Sequence, residues 1–554
     1  MVALLLALAG ASSAHAAEPV LFDWFEYKGN DATFEAPLQP GQYRNPILAG
    51  FYPDPSIVRA NDRYYLVNST FTYFPGIPVF ESRDLVHWTQ VGNVIDRPTQ
   101  LDFDGLNMSR GVFAPTIEYH DGTFYVLNTS VDAGGNFIAT AKNPAGPWSD
   151  PIWLPTIEGI DPSLFFDVGK DGAKRVFLIN NDAPEGTPLY EGHRAIWMQQ
   201  LDPETLKPFG PRKVLLNGGM NLAEKPIWIE GPHIYKRDGW YYLVCAEGGT
   251  SLQHSQVVAR SRDIWGPYKP YEHNPILTQR DLPEDRADAI GNAGHADLVE
   301  ATDGTWWAVF LASRMYGRVH YNTGRETFLL PVEWKDGWPT ILAHGQRIPQ
   351  VVDGPSFMER DATQAPLSGN FTWRDDFDKP QLDTTWLFAR VPKTQWADMR
   401  SHAGKLAIAP GEGLDTLRNP TFLARRQQHL AFEASTAMSV PADATTEAGL
   451  AAFQNENYWF ALGVQRVGDG VVLTLRKRMK DATQTLATAT LPAKTKDLKL
   501  KVQANGGDYA FAYDAGRGWT WLKQDVDGTV LSTDVAGGFI GATVGPYARI
   551  VQDN

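Results

Sequence analysis

The chain has almost no cysteine, because Cys245 is the only one among its 554 residues. A single cysteine excludes any disulfide bond within the chain. Cys245 stands in the apolar sequence WYYLVCAEG, which is typical of a buried, unreactive thiol rather than a nucleophile. Stability must therefore come from the burial of apolar surface, and a chain of this length has enough residues for two domains.

Positive charge and long apolar runs are also scarce. The chain carries 50 Lys and Arg against 64 Asp and Glu, a net charge of −14, and no block rich in Lys or Arg. This balance argues against nucleic acid or an anionic membrane as a partner. The apolar run at residues 2–16, VALLLALAGASSAHA, is too short to span a bilayer and resembles a secretory signal peptide cleaved before Ala17. It predicts that residues 1–16 are removed and that the protein is exported, to the periplasm or the cell exterior.

Several motifs of catalysis and nucleotide binding are missing as well. The sequence contains no Walker or dinucleotide-binding motif, no Gly-x-Ser-x-Gly and no His-Glu-x-x-His. What it does contain is aromatic residues, which make up 12% of the chain and include 18 Trp, within short alternating segments separated by Gly, Pro, Asn and Asp. This pattern predicts an all-β protein.

A pattern of two short strands joined by an Asp-containing turn occurs five times. The units begin at Asp54, Ala114, Asp161, Glu230 and His295, roughly 45–70 residues apart. Each starts with a small or ionisable residue and ends in an aromatic-rich strand. Repeats of this kind are typical of propellers, in which one four-stranded blade needs about that much chain. The repeat predicts a five-bladed β-propeller over residues 44–350.

The first residues of these units share one register relative to the turn. In a propeller the innermost strands surround a central axis, so equivalent positions of different blades meet at one end of it. We therefore expect Asp54, Asp161, Glu230 and His295 to converge. Turn chemistry alone explains a single Asp-Pro pair such as Asp54-Pro55, but it does not explain ionisable residues at one register in four blades.

Three converging carboxylic acids suit the hydrolysis of a glycosidic bond. One carboxylic acid protonates the leaving oxygen while a second carboxylate, ~6.5–9.5 Å away, activates a water molecule. We assign Asp54 and Glu230 as this pair, with Asp161 as a third carboxylate that raises the pKa of the acid and orients it. The same three acids would also suit a metal ion, since hard cations prefer oxygen ligands.

The segments around these residues resemble glycoside hydrolase family 43, whose members are β-xylosidases and α-L-arabinofuranosidases on a five-bladed propeller. The resemblance rests on NPILAGFYPDPSIVRANDRYYLVNSTF, GIDPSLFF, IEGPHIYKRDGWYYLVCAEGG, GNAGHADLVEATDGTWWAVFLA and GRETFLLPVEW, which span about residues 44–350. It implies that Asp54 is the general base, Asp161 the pKa modulator and Glu230 the general acid, with inversion at the anomeric carbon.

The resemblance also implies roles outside the carboxylates. Arg325, in TGRETF, matches the arginine that hydrogen-bonds the terminal sugar, with a surface ion pair as the alternative. His295 matches the axial histidine that holds a calcium ion or its water, with a structural histidine bonded to backbone as the alternative; no other cofactor is expected. The candidate walls of the sugar pocket, which are otherwise blade core, are Phe51, Trp88 and Phe113.

Beyond the propeller we expect a linker at 351–370 and a second domain at 371–554. Its alternating segments, such as YWFALGVQ and VVLTLRKR, predict a β-sandwich, similar to the concanavalin-like C-terminal domain of xylosidase-like family members. Family members with this sandwich usually end on a strand similar to FDWFEY, which here stands in the leader, residues 17–43, at Phe22–Tyr27. We predict that residues 20–27 cross to the sandwich, because both would otherwise leave apolar surface and backbone groups unpaired. The alternatives are packing on the propeller and pairing with a second copy.

Together these features predict an exo-acting, inverting hydrolase that releases terminal β-D-xylose, α-L-arabinofuranose or both. The expected substrates are hemicellulose and its oligosaccharides, such as xylan and arabinoxylan. A closed pocket at a propeller axis favours chain ends over internal bonds. The alternatives are an enzyme for α-L-arabinofuranose only, and a lectin-like propeller that binds sugar without catalysis.

Overall fold

The computed structural model describes residues 18–169, 172–286, 289–359 and 365–551. The predicted signal peptide lies outside the described residues. Within these ranges the chain is all-β, with one short α-helix at Thr533–Ala536 and three single 3-10 turns at Ala32–Phe34, Leu222–Glu224 and Gly528–Leu531. In the same ranges we find no helix that is long and apolar enough to cross a membrane.

Five antiparallel sheets form the blades of a β-propeller, which confirms the predicted fold. Two strands precede the blades: β1 (Val20–Gly29) and β2 (Gln42–Arg44). Blade 1 contains β3 (Ser56–Ala60), β4 (Arg63–Val67), β6 (Gly76–Ser82) and β7 (Thr89–Ile95). The short strand β5 (Tyr73–Phe74) lies between β4 and β6 in the sequence but pairs with a strand of the second domain. Blade 2 contains β8 (Gly111–Val112), β9 (Thr116–His120), β10 (Thr123–Val131), β11 (Gly135–Ala141) and β12 (Ile152–Trp153). Blade 3 contains β13 (Ile160–Val168), β14 (Lys174–Asp182), β15 (Ala195–Leu201) and β16 (Pro208–Asn217).

The remaining blades follow in chain order. Blade 4 contains β17 (Glu230–Arg237), β18 (Trp240–Glu247), β19 (Ser255–Ser261), β20 (Lys269–Pro270) and β21 (Leu277–Thr278). Blade 5 contains β22 (Ile290–Glu300), β23 (Trp306–Arg314), β24 (Glu326–Lys335) and β25 (Trp338–Thr340). Cys245, in β18, is fully buried, as predicted for an unreactive thiol.

The tight hairpins of the blades follow from Asp-Gly pairs. Asp121-Gly122 joins β9 to β10, Asp238-Gly239 joins β17 to β18, and Asp336-Gly337 joins β24 to β25. All six residues have positive φ, between 47° and 75°. Two-residue hairpins whose central residues both have positive φ match the right-handed twist of the flanking strands, and Asp-Gly is the preferred sequence for them.

The second domain is a β-sandwich of two eight-stranded sheets, as predicted. Its strands are β27 (Thr372–Asp375), β28 (Leu387–Ala389), β29 (Ala397–Asp398), β30 (Leu406–Ile408), β31 (Leu423–Arg426), β32 (Ala431–Ser439), β33 (Thr446–Asn455), β34 (Tyr458–Val467), β35 (Gly470–Met479), β36 (Ala482–Leu491), β37 (Asp497–Asn505), β38 (Asp508–Asp514), β39 (Thr520–Asp527) and β40 (Thr543–Ile550). One sheet has the order β29-β30-β1-β32-β37-β38-β39 with β27 also on β1, and the other has the order β36-β35-β34-β33-β40-β31-β28-β5.

The leader strand β1 belongs to the sandwich and not to the propeller, which confirms its predicted crossing. It pairs antiparallel with β32 along most of its length, and with β30 and β27 on its other edge. Phe22, Phe25 and Tyr27 are fully buried in the sandwich core. The Tyr27 hydroxyl accepts hydrogen bonds from the backbone N–H groups of Gln428 and His429, so the strand is fixed by polar as well as apolar contacts.

The segment predicted as a linker contains a short strand. Val351–Asp353 forms β26, which pairs with β2 and so joins the two ends of the propeller segment. Three residues are too few to show an alternating pattern, which is why the sequence did not indicate it.

The two domains share strands as well as side-chain contacts. The two-residue strand β5, which leaves blade 1, pairs with β28 at the end of a sandwich sheet. At a second contact, a Cβ on Gly541 would lie 2.6 Å from the carbonyl oxygen of Thr323, so only glycine allows the sandwich backbone to approach there. This approach brings residues 537–542 of the sandwich next to Arg325 of the propeller.

Candidate active site

Local backbone geometry places the predicted site residues at the axis. Asp54 lies two residues before β3, while Asp161, Glu230 and His295 lie in the innermost strands of their blades. In those three strands the pairing register shifts at or beside the site residue. Asp54, Asp161 and His295 have φ of 50°, 55° and 52°. In blade 4 the corresponding positive φ, 55°, belongs to Gly231, the residue after Glu230. Non-glycine residues with positive φ and strand irregularities concentrate at functional sites, where they aim particular side chains.

Asp54 is buried and paired with a cation. Its Oδ1 accepts a hydrogen bond from Arg325 Nη1 at 2.9 Å, and its Oδ2 accepts one from the Ser69 hydroxyl. Burial alone would raise the pKa of Asp54, but the positive charge of Arg325, the nearby His295 and the Ser69 hydroxyl oppose this effect, and the net shift is downward. Asp54 is therefore ionised at neutral pH.

Glu230 has the opposite environment. It is only half buried, whereas Asp54 and Asp161 are 4% and 5% exposed. Burial of its carboxyl group raises the pKa of Glu230 well above the usual range, and the negative charges of Asp161 and Asp54 raise it further. Glu230 therefore holds its proton in the pH range where Asp54 has lost its own.

The pKa of Asp161 is raised, like that of Glu230 and unlike that of Asp54. Burial and the negative charge of Asp54 raise the pKa of Asp161 to about 7. The backbone N–H of Gly231 donates to Asp161 Oδ2 at 3.1 Å, which favours the ionised form. A Cβ on Gly231 would lie 2.9 Å from Nε2 of His295, so this close packing requires glycine. Because the three carboxylates act on one another's pKa, the structure brings all of them together, and two carboxyl groups whose pKa values are pushed apart can act as base and acid.

Comparison with known proteins agrees with this chemistry. A family model described as glycosyl hydrolases family 43 matches residues 43–339, and one described as beta xylosidase C-terminal concanavalin A-like domain matches residues 374–553. The chain belongs to glycosyl hydrolases family 43. As a family 43 member it is a glycosidase.

Relatives match the family 43 chain along nearly its whole length. A xylosidase/arabinosidase of Butyrivibrio fibrisolvens is 38% identical over 91% of this chain and 95% of its own length. A non-reducing end alpha-L-arabinofuranosidase of Bacteroides ovatus is 37% identical over 91% of each chain. The crystal structure of a GH43_12 protein retrieved from a capybara gut metagenome is 40% identical, with a TM-score of 0.90, and the match covers 96% of this chain and 100% of that one.

Of the aromatic residues predicted as pocket walls, only Phe113 keeps part of its surface exposed. It is half buried and packs edge-on against Phe71 and Phe539, the two rings beside Arg325, at centroid distances of 5.7 and 5.6 Å. Phe51 is fully buried, with its ring under the Arg426 guanidinium, so it offers no surface to a sugar and its assignment to the pocket is wrong. Trp88 is 3% exposed in the core of blade 1 and donates its indole N–H to the Leu85 carbonyl, so it is unavailable to a sugar and its assignment to the pocket is wrong.

Phe539, which the sandwich contributes to the site, was not predicted from the sequence. The Phe539 carbonyl accepts a hydrogen bond from Arg325 Nη2 at 3.2 Å, and its ring lies 5.5 Å from the Arg325 guanidinium. Its backbone N–H donates to the Ser109 hydroxyl of the propeller at 2.9 Å. Phe539 lies in the loop before β40, which begins only at Thr543, and the Gly537-Gly538 pair is the sequence signal for this loop.

His254 is a second missed neighbour of the site. Its Nδ1 bonds the Asn292 carbonyl at 2.8 Å, while its buried Nε2 has no hydrogen-bond partner among the described residues. Burial lowers the pKa of His254 to about 3, so the ring is neutral.

The surroundings of His295 do not fit direct ligation of calcium. Calcium prefers six to eight oxygen ligands, whereas His295 offers a buried imidazole whose pKa is lowered, by burial, to about 4. Asp297, a carboxylate near it, already accepts from the Ser56 hydroxyl, the Ile57 N–H and the Tyr235 hydroxyl. Among residues 18–169, 172–286, 289–359 and 365–551 no group of three His, Cys, Asp or Glu converges as a metal site. We therefore derive no catalytic step through a metal.

Proposed function

We propose that this family 43 glycosidase removes single pentose units, β-D-xylose, α-L-arabinofuranose or both, from the non-reducing ends of hemicellulose glycans with inversion. The names of the relatives, xylosidase/arabinosidase and non-reducing end alpha-L-arabinofuranosidase, support the choice of sugars. The observation that carries the proposal is the opposite displacement of the pKa of Asp54, downward, and of Glu230, upward. Hydrolysis of a glycosidic bond needs one ionised and one protonated carboxyl group, and inversion is what the likeness to family 43 implies.

In the proposed reaction Asp54 and Glu230 transfer one proton each. Asp54 takes a proton from a water molecule, whose oxygen forms a bond to the anomeric carbon. The bond between that carbon and the glycosidic oxygen breaks, and the oxygen takes the proton of Glu230. Because water attacks the face opposite the leaving group, the configuration inverts. Solvent then removes the proton from Asp54 and returns one to Glu230.

Asp161 acts in this scheme as a positioning residue. Its hydrogen bond from the Gly231 N–H favours a carboxylate on Asp161, so the proton that the two acids compete for resides on Glu230. The resulting negative charge keeps the pKa of Glu230 high, which retains the proton until the glycosidic oxygen needs it.

Arg325 and the aromatic side chains around it would hold the terminal sugar. Its Nη1 is held by Asp54 and Thr250 and its Nη2 by the Phe539 carbonyl, so the guanidinium has a fixed place beside the carboxylates. Phe71 from the propeller and Phe539 from the sandwich flank this arginine, and Phe113 packs against both rings. A site covered by a loop of the second domain accommodates a chain end better than the middle of a chain, which supports exo-action.

We further infer that the enzyme acts outside the cytoplasm, because residues 2–16 have the pattern of a signal peptide. Expression with the native N-terminus followed by N-terminal sequencing of the exported protein tests this. A mature chain that begins at Ala17 in the periplasm or medium is expected. An uncleaved protein in the cytoplasm would contradict it.

Product analysis tests the proposed reaction. Aryl β-xyloside, aryl α-L-arabinofuranoside, xylobiose and arabinoxylan are incubated with the enzyme, and released sugars are separated by chromatography. Release of monomeric xylose or arabinose is expected, and proton NMR at early times should show the anomer opposite to that of the substrate. Oligosaccharides as first products would contradict exo-action, and early retention would contradict the base role of Asp54.

A further inference from the structure

A bulky residue with a strained backbone lies two positions before the proposed acid, Glu230. Trp228 has φ of 52°, a conformation that a large side chain adopts only when its surroundings enforce it. Its indole is half buried, and the Arg194 guanidinium covers one face of the ring at 4.2 Å. Residues 189–194 and 226–229 together form what we call the acid-side rim.

Close backbone contacts hold the acid-side rim in place. The Trp228 N–H donates to the Gly192 carbonyl at 2.8 Å. Gly192 has φ of 78°, and a Cβ there would lie 2.8 Å from Cβ of Ile227, so the two segments of the rim touch without room for a side chain. The Ile227 carbonyl accepts the N–H of Gly248 at 2.8 Å. The rim is thus built as one rigid wall.

The same contacts connect the rim to the pocket. The loop that follows Gly248 carries Thr250, whose hydroxyl accepts a hydrogen bond from Arg325 Nη1 at 2.9 Å, the same nitrogen that binds Asp54. On the other side, the positive charge of Arg194 lowers the pKa of Glu230. The rim therefore borders the pocket on the side from which Glu230 delivers its proton.

That side is where the leaving group must lie. The general acid protonates the glycosidic oxygen, which stays with the departing sugar, so this sugar occupies the space next to Glu230. The rim has exposed apolar side chains, since Leu189 and Ile227 are 70% and 41% exposed. Indole faces bind the C–H faces of sugar rings, and guanidinium groups donate to their hydroxyls.

We infer that Trp228 and Arg194 form a subsite for the first sugar of the leaving group, a pyranose ring of the glycan, with Trp228 as its stacking platform. The inference rests on the proposed function. It assigns to the rim a preference for pentose units attached to another sugar over pentose units attached to a small leaving group.

The test compares a disaccharide with a substrate that has no leaving sugar. kcat/KM is measured for xylobiose or an arabinosylated xylo-oligosaccharide, and for the fluoride of the same pentose. Trp228→Gly should lower kcat/KM about five- to tenfold on the disaccharide, the size of one aromatic contact, and change it less than about twofold on the fluoride. Because glycine adopts this φ without strain, Tm should stay the same or rise. Trp228→Phe should retain most of the activity on the disaccharide.

Trp240 provides a matched control in the same blade. It is also half buried beneath an arginine, with Arg262 3.8 Å above its ring, but it lies at the opposite end of the β17–β18 hairpin. Trp240→Ala should leave the ratio of the two kcat/KM values unchanged. Equal losses on both substrates for Trp228→Gly, or no loss on either, would overturn the subsite.

Failure of the proposed function gives a different result. Wild-type protein would then hydrolyse neither substrate. In that case calorimetric binding of xylotriose to wild-type protein and to Trp228→Gly decides the subsite alone, since weaker binding by the variant supports it and equal binding overturns it.

Discussion

Blades 1 and 4 each bring one of the two proposed catalytic carboxyl groups to the axis, in opposite electrostatic settings. Asp54 lies against Arg325 and is almost fully buried, whereas Glu230 is half buried and faces the charges of two other carboxylates. The pKa of the first is lowered and that of the second is raised. The repeat of the propeller therefore supplies the positions, while Arg325 beside Asp54 and the two carboxylates near Glu230 set the pKa values on which the proposed roles of base and acid rest.

Removal of either carboxyl group should have the largest effect, because it eliminates one of the two groups that differ between blades 1 and 4. Asp54→Asn and Glu230→Gln should each lower kcat by several orders of magnitude, on the order of 10³ or more. Only Glu230→Gln should recover on substrates whose leaving group needs no protonation. Asp167→Asn, which changes an acid at the far end of the Asp161 strand, is the control and should keep its activity. Selective recovery of Asp54→Asn instead would reverse the two roles.

Loss of the Arg325 charge should have the next largest effect, because it makes the setting of Asp54 more like that of Glu230. Arg325 lowers the pKa of Asp54, so Arg325→Gln should raise that pKa. The base must be ionised, so activity falls as pH drops through this pKa, and the acidic limb of the kcat/KM profile should move to higher pH. An acidic limb that stays in place or moves to lower pH would contradict the assignment of Asp54.

Truncation of Phe539 should have a smaller effect and tests the part that the second domain takes in the site. Phe539→Ala removes the ring beside Arg325 but keeps the backbone carbonyl that binds it. We expect kcat/KM to fall about five- to tenfold, mainly through KM. Trp519→Ala, at an exposed tryptophan of the same domain, should leave both constants unchanged. An unchanged KM for Phe539→Ala would mean that the sandwich does not contact the sugar.

Neutralisation of Arg194 should give the smallest change, and it tests the electrostatic setting of Glu230. The charge of Arg194 lowers the pKa of Glu230, so Arg194→Gln should raise that pKa further. The acid works while protonated, so the alkaline limb of the kcat profile should move to higher pH. Arg212→Gln, which removes another arginine lying over a tryptophan in blade 3, is the control and should not shift this limb. Movement to lower pH would contradict the assignment of Glu230.

Features with a local or repeated signal could be predicted from the sequence. The five blades, the sandwich and the convergence of Asp54, Asp161 and Glu230 all follow from a pattern that repeats at one register. The crossing of β1 was also predictable, because an alternating aromatic strand without a nearby partner must bury its apolar face elsewhere. Trp88 shows the limit of this reasoning, since the polar residues that precede it in the sequence do not reveal that its ring is buried in the blade.

The sequence by itself determined the two folds and the residues that meet at the axis, because strand alternation and turn chemistry act over a few neighbouring residues. Only the tertiary structure decided the pKa values of the carboxyl groups in the site and the side chains that surround them. Arg325 binds Asp54 across 271 residues of chain, and Phe539 reaches the same arginine across 214. Contacts of that separation leave no periodic trace, and the pKa of each carboxyl group depends on burial and on charges that the fold brings close from distant parts of the chain.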